Sequence, residues 1–93
     1  DRRLKERFEQ LGCAQYLMHR TGHNIGHRCH GIGANLDDYE THDDRCLLPE
    51  TMFSIEPGLY TDKYGVRLEY DVHITSEGET KVYGPVQDEI LVI

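Results

Sequence analysis

Leu4, Phe8 and Leu11 recur at i, i+4 and i+7, and Lys5 and Glu9 fall four apart on another side, the spacing of a helix with one apolar stripe and one solvated face. The pattern predicts a helix over residues 1–11, with Gly12 just beyond its end, where a left-handed conformation is tolerated. Asp1 reads equally as an N-cap or as a point inside a longer helix. From Cys13 to Gly33 the periodicity lapses and glycine returns at 22, 26, 31 and 33, predicting extended chain and tight turns. Residues 34–50 are polar and rich in acids, a loop too long for a simple connector and therefore expected to be functional or mobile. Strand patterns follow. Residues 51–60 mix apolar and β-branched side chains, and 66–75 alternate strictly, Val66, Leu68, Tyr70, Val72 and Ile74 on one face and Arg67, Glu69, Asp71, His73 and Thr75 on the other. Asp62 and Gly65 suit a hairpin loop between them, Glu77-Gly78 marks another turn, and 81–83 and 89–93 predict two short strands. A helix followed by an antiparallel meander is an α+β pattern.

Length limits this fold to one small domain, since a chain of this size buries only about 60–65% of its unfolded surface. Acidic residues outnumber basic ones 17 to 10, for a net charge of -7, and the longest uninterrupted apolar run is Ile90 to Ile93. No membrane span and no electropositive nucleic-acid surface are therefore expected. No basic segment followed by an apolar one opens the chain, so no secretory signal is expected. Cys13, Cys29 and Cys46 are odd in number and form no Cys-x-x-Cys pair, which argues against a disulfide framework or a zinc ribbon and for a reducing, cytoplasmic setting.

Histidine and glutamate carry the candidate chemistry. His19, His23 and His27 lie four apart, as on the face of a zinc-binding helix, but Gly22, Gly26, Thr21 and Ile25 disfavour that helix. Glu56 sits among Met52, Phe53, Ile55, Leu59 and Tyr60, where a carboxylate needs a cationic partner to stay ionised. Pro57 and Gly58 break the strand beside it. If the two long strands pair, Glu69 points into the same space as Glu56, and two like charges there require a cation. With His23 they make an imidazole and two carboxylates, suited to Mn²⁺, Fe²⁺, Co²⁺ or Zn²⁺. His30 offers a second imidazole beyond the Gly26 turn. His27, His42 and His73 have no comparable surroundings, and no neighbour makes Cys29 a credible nucleophile.

These residues fall into three motifs: His19-Arg20-Thr21-Gly22-His23-Asn24-Ile25-Gly26 with His30, then Ser54-Ile55-Glu56-Pro57-Gly58-Leu59-Tyr60, then Gly65-Val66-Arg67-Leu68-Glu69-Tyr70-Asp71. Together they closely resemble the pita-bread metallopeptidases of family M24, in the aminopeptidase P and prolidase branch, over residues 1 to about 84. The resemblance implies a hydrolase that cleaves an N-terminal Xaa-Pro bond with hydroxide generated between two divalent ions, Mn, Co or Zn. It implies His23 as ligand of one metal, Glu56 as ligand and proton-shuttling acid/base, and Glu69 as the bridge between metals. His30 would donate a hydrogen bond to the scissile carbonyl, His19 would stand at the mouth of the substrate pocket, and Arg67 would orient the carboxylates.

Members of the family also use two aspartates on an upstream hairpin, which this chain does not contain. The resemblance therefore implies that residues 1–93 are the C-terminal half of a pita-bread catalytic domain, a helix followed by a curved antiparallel sheet with the first half absent. Such a chain is expected to hold at most one metal weakly, to be inactive alone, and to self-associate or meet a companion carrying the first half. Asn24 stands where the family has Gly, at little cost because Asn tolerates positive φ. His27 replaces an aliphatic residue, Gly31 an acid, and Glu50 the Gly of Pro-Gly-Met. Two other readings share the fold: a non-catalytic interaction module and a creatinase-like, metal-free hydrolase.

Overall fold

The computed structural model describes residues 1–90 and 92. Helix α1 (Arg2–Gln10) ends as its sequence predicts, with Gly12 at φ 71. Asp1 precedes the helix without capping it. Its carboxylate instead accepts from the Thr21 hydroxyl and from the Asp38 N–H at 2.6 Å, pinning the helix start to the middle of the chain. Leu4 and Phe8 are half-buried and Leu11 is exposed.

Six strands follow: β1 (Asn24–Ile25), β2 (Thr51–Ile55), β3 (Gly58–Tyr60), β4 (Gly65–Arg67), β5 (Tyr70–Ile74) and β6 (Thr80–Tyr83). They form an antiparallel sheet in the order β1-β2-β5-β6 and a separate two-stranded ribbon, β3-β4. Both long predicted strands are thus cut in two, one at Glu56-Pro57 and the other at Leu68-Glu69. The cuts coincide. Ile55 pairs with Tyr70 and Gly58 with Arg67, so one register runs through the break and sets Glu56 across from Glu69. Proline supplies no ladder N–H, which explains why pairing lapses there.

Alternation decides what each face carries. Phe53, Val72 and Ile74 are buried on one face of the four-stranded sheet and pack with Leu36, Leu47 and Ile55. The predicted apolar face does not continue into β4: Val66 is 52% and Leu68 41% exposed, because the ribbon leaves the sheet at the break. The strand expected over 89–93 is absent at Glu89 and Ile90, and residues 91 and 93 lie outside the described residues. Among the described residues no helix is long and apolar enough to cross a membrane.

The acidic loop is organised around two carboxylates. Asp37 is buried and accepts from Tyr39 N–H at 3.0 Å, Glu40 N–H at 2.9 Å and the Thr41 hydroxyl at 2.9 Å. Burial alone would raise its pKa, but these donors outweigh it and the net shift is downward. Asp43 is held far below the ordinary range, first by Arg45, whose Nε and Nη2 lie at 2.8 and 2.7 Å, and then by the Asn35 N–H. Positive φ does not fall at Asn24, which is a strand residue; among the described residues the one non-glycine residue in the left-handed region is Glu50, at φ 61.

Candidate metal centre

The segment before β1 extends the sheet edge. Glu56 N–H donates to Thr21 carbonyl at 2.7 Å and Ser54 N–H to His23 carbonyl at 2.9 Å, so residues 21–25 run antiparallel along 52–56. His23 therefore stands across from Ser54, with Glu56 two residues on and on the same face. Gly22 makes the approach possible, since a Cβ there would lie 1.9 Å from the Ser54 carbonyl oxygen.

His23 is buried and oriented from both ends. Its Nδ1 lies 3.0 Å from the Asn24 carbonyl, which can only accept, so Nδ1 carries the proton. Its Nε2 then faces Glu56 Oε1 at 3.1 Å. In a neutral ring this places a nitrogen lone pair against a carboxylate, an arrangement that calls for a proton or a metal ion between them. Ser54, 0% exposed, completes the brace: its Oγ accepts from His23 N–H at 3.0 Å and donates to Glu56 Oε1 at 3.0 Å. Support of this kind, from groups behind the ligands, fixes imidazole tautomer and carboxylate direction in metal sites.

Glu69 joins through Arg67 rather than directly. The guanidinium lies 3.8 Å from Glu56 Oε2 through Nη1 and 3.9 Å from Glu69 Oε2 through Nη2, spanning the two glutamates that the register places opposite each other. Both Arg67 and Glu69 are about half exposed. His30 is brought back over His23 by a loop closed through Gly31 N–H to Asn24 carbonyl at 2.8 Å, and the two rings lie 4.2 Å apart. His19 is held by its own pair of contacts: Nδ1 donates to the Arg20 carbonyl at 2.7 Å, leaving Nε2 to accept from Tyr60 hydroxyl at 2.9 Å. This pair passes over Gly58, where a Cβ would meet Tyr60 and His19 within 2.8 Å. The His19, His23 and His27 spacing is not helical, as the glycines predict.

Two supporting residues lie within the motifs, which give them no role. Ser54 looks like any strand serine, and its only signal is alternation with Glu56. Asn24 works as a clamp instead of a left-handed turn residue, accepting from Gly33 N–H at 3.0 Å and donating to Met52 carbonyl at 3.0 Å.

A family model described as "Metallopeptidase family M24" matches residues 1–76, which carry all of these groups. The chain belongs to metallopeptidase family M24. Among M24 proteins and their relatives, the probable dipeptidase PepE of Mycobacterium tuberculosis is 34% identical over 84 residues, covering 88% of this chain and 21% of its own. The crystal structure of dipeptidase PepE from Mycobacterium ulcerans matches at 30% identity with a TM-score of 0.79, over 94% of this chain and 22% of that one. The X-Pro aminopeptidase of Thermotoga maritima matches at 28% identity and a TM-score of 0.80, over 96% and 24%. The chain thus spans about a fifth of the length of the M24 relatives it matches. The α+β arrangement of one helix and antiparallel sheets is the corresponding part of the pita-bread fold.

Proposed function

We propose that the protein is a metal-dependent peptidase that cleaves an N-terminal Xaa-Pro bond in small peptides, and that the 93 residues alone are inactive. The observation that carries this reading is the pairing of buried His23 with half-buried Glu56 at 3.1 Å, with the histidine tautomer set by Asn24 and the carboxylate aimed by Ser54. The donors fit divalent ions: one imidazole and two carboxylates suit Mn²⁺, Co²⁺ or Zn²⁺. His23, Glu56 and Glu69 would hold them. Bound there, such ions supply an acidified water and positive charge against a developing oxyanion.

The remaining roles belong to the chain. Glu56 takes a proton from the attacking water and delivers it to the departing amine. His30 donates to the scissile carbonyl from above His23. Arg67 bridges the two carboxylates and offsets their mutual repulsion. His19, fixed by Tyr60, lines the approach of the substrate. Three donors on one wall leave the 93-residue chain able to hold at most one ion weakly, so the rest of a pita-bread domain is the expected partner, with self-association in its absence. The three cysteines are free, which suits a reducing cytoplasm.

The test uses the full-length protein, stripped of metal and reloaded with Mn²⁺, Co²⁺ or Zn²⁺. Turnover of Xaa-Pro dipeptides should appear on reloading with Mn²⁺ or Co²⁺ and vanish with chelator. Glu56→Gln should lower kcat by roughly 10²–10⁴-fold, the range for loss of a general acid/base. Metal-dependent cleavage confined to bonds without proline would overturn the specificity. Metal binding without any peptide hydrolysis would overturn the reaction.

A further inference from the structure

The loop that returns His30 to His23 also brings a thiol. Ligating atoms of His23, Cys29 and His30 all lie within 4.8 Å of one another, a grouping that shares only His23 with the carboxylate set. His23 forms its buried floor, and Cys29 and His30 are exposed, so solvent reaches it from one side. The rings of the two histidines are 4.2 Å apart and tilted by 39°. The set is two nitrogens and one sulfur, which differs in kind from the nitrogen and two carboxylates described above. Imidazole and thiolate favour Zn²⁺ and thiophilic ions, whereas carboxylates favour Mn²⁺. A Zn²⁺ ion there would form one Zn–S bond of about 2.3 Å and two Zn–N bonds of about 2.0–2.1 Å, three protein ligands of the four that zinc ordinarily takes.

His23 links the two sets. Nδ1 is committed to the Asn24 carbonyl, so Nε2 is the only ring nitrogen it can offer either one. We propose that His23, Cys29 and His30 form a second, thiolate-containing metal site for a soft divalent ion such as Zn²⁺ or Cd²⁺, and that occupation of this site excludes an ion from the carboxylate set. Binding deprotonates Cys29: the Sγ–H proton passes to solvent as the metal–sulfur bond forms, with no change of oxidation state. The site stands on its own geometry, and only the exclusion rests on the proposed function.

The experiment is titration of the metal-free, full-length protein with Cd²⁺, read by ultraviolet thiolate-to-metal charge-transfer absorption. The band should saturate near one equivalent, disappear in Cys29→Ser, weaken at least tenfold in apparent affinity in His30→Gln, and persist in Glu69→Gln. Excess Mn²⁺ should raise the apparent Cd²⁺ dissociation constant tenfold or more. No band in the unaltered protein, or an undiminished band in Cys29→Ser, would overturn the site, and indifference to Mn²⁺ would overturn the exclusion. A normal Cd²⁺ band in a protein that hydrolyses no peptide would sink the proposed reaction while leaving this site standing.

Discussion

Ser54 shows how much a single small side chain decides. It occupies the one fully enclosed position opposite His23, and its hydroxyl both receives the His23 N–H and restrains Glu56. Ser54→Ala should cost about 1–3 kcal/mol, since it strands a buried N–H without a partner. It should also weaken Mn²⁺ binding by roughly 10–100-fold by freeing the glutamate. Urea unfolding and isothermal calorimetry on the full-length protein separate the two effects. Glu50 is the opposite case, a residue its backbone does not suit. A left-handed conformation costs a residue with a Cβ about 1–2 kcal/mol, and glycine avoids this at an entropic cost of about 0.5–1 kcal/mol. Glu50→Gly should therefore raise stability by up to about 1 kcal/mol, seen as a higher urea midpoint with an unchanged slope.

At the scale of elements, the acidic loop behaves as a folded unit with its own pH signature. The Asp37 carboxyl is shifted downward in the folded state, so the stability it contributes is fully present above the unfolded value of about 3.9 and is lost as pH falls through the lower folded value. Asp37→Asn should destabilise the full-length protein by about 1–3 kcal/mol at neutral pH. The gap from the unaltered protein should narrow below about pH 4, which a series of unfolding curves checks. Much of this architecture was legible in sequence. The helix stop at Gly12, the core positions Phe53, Val72 and Ile74, and the shared face of Glu56 and Glu69 all follow from periodicity and pairing. The exposure of Val66 and Leu68 was not, because alternation says which way a side chain faces and nothing about what lies there. The approach of Cys29 to His23 depends on the Gly31–Asn24 hydrogen bond, a closure with no periodic signature. The work of Asn24 has no such signature either: its residue type tolerates a left-handed turn, but its amide is engaged by Gly33 and Met52.

Taken whole, the chain exposes 7253 Å², against about 5,500 Å² for a compact globule of its mass. Its radius of gyration, 14.2 Å, likewise exceeds the about 12 Å expected for this length. The excess surface is about twice the roughly 800 Å² that one partner buries in a standard protein–protein interface, and the exposed apolar residues include Leu11, Val66, Leu68, Val86 and Ile90. As an isolated polypeptide, the 93 residues should sediment above monomer mass at micromolar concentration and hydrolyse no dipeptide. A single monomeric boundary would remove the case for self-association. Strand β2 adds a constraint of a different sort, because it lies between β1 and β5 and points Phe53 one way and Ser54 the other. Slippage by one residue would turn the serine into the oily side and the phenylalanine toward His23 and Glu56. A misaligned chain thus forfeits cohesion and ligand capture in the same stroke, so that any molecule able to capture metal has already been proofread for correct alignment.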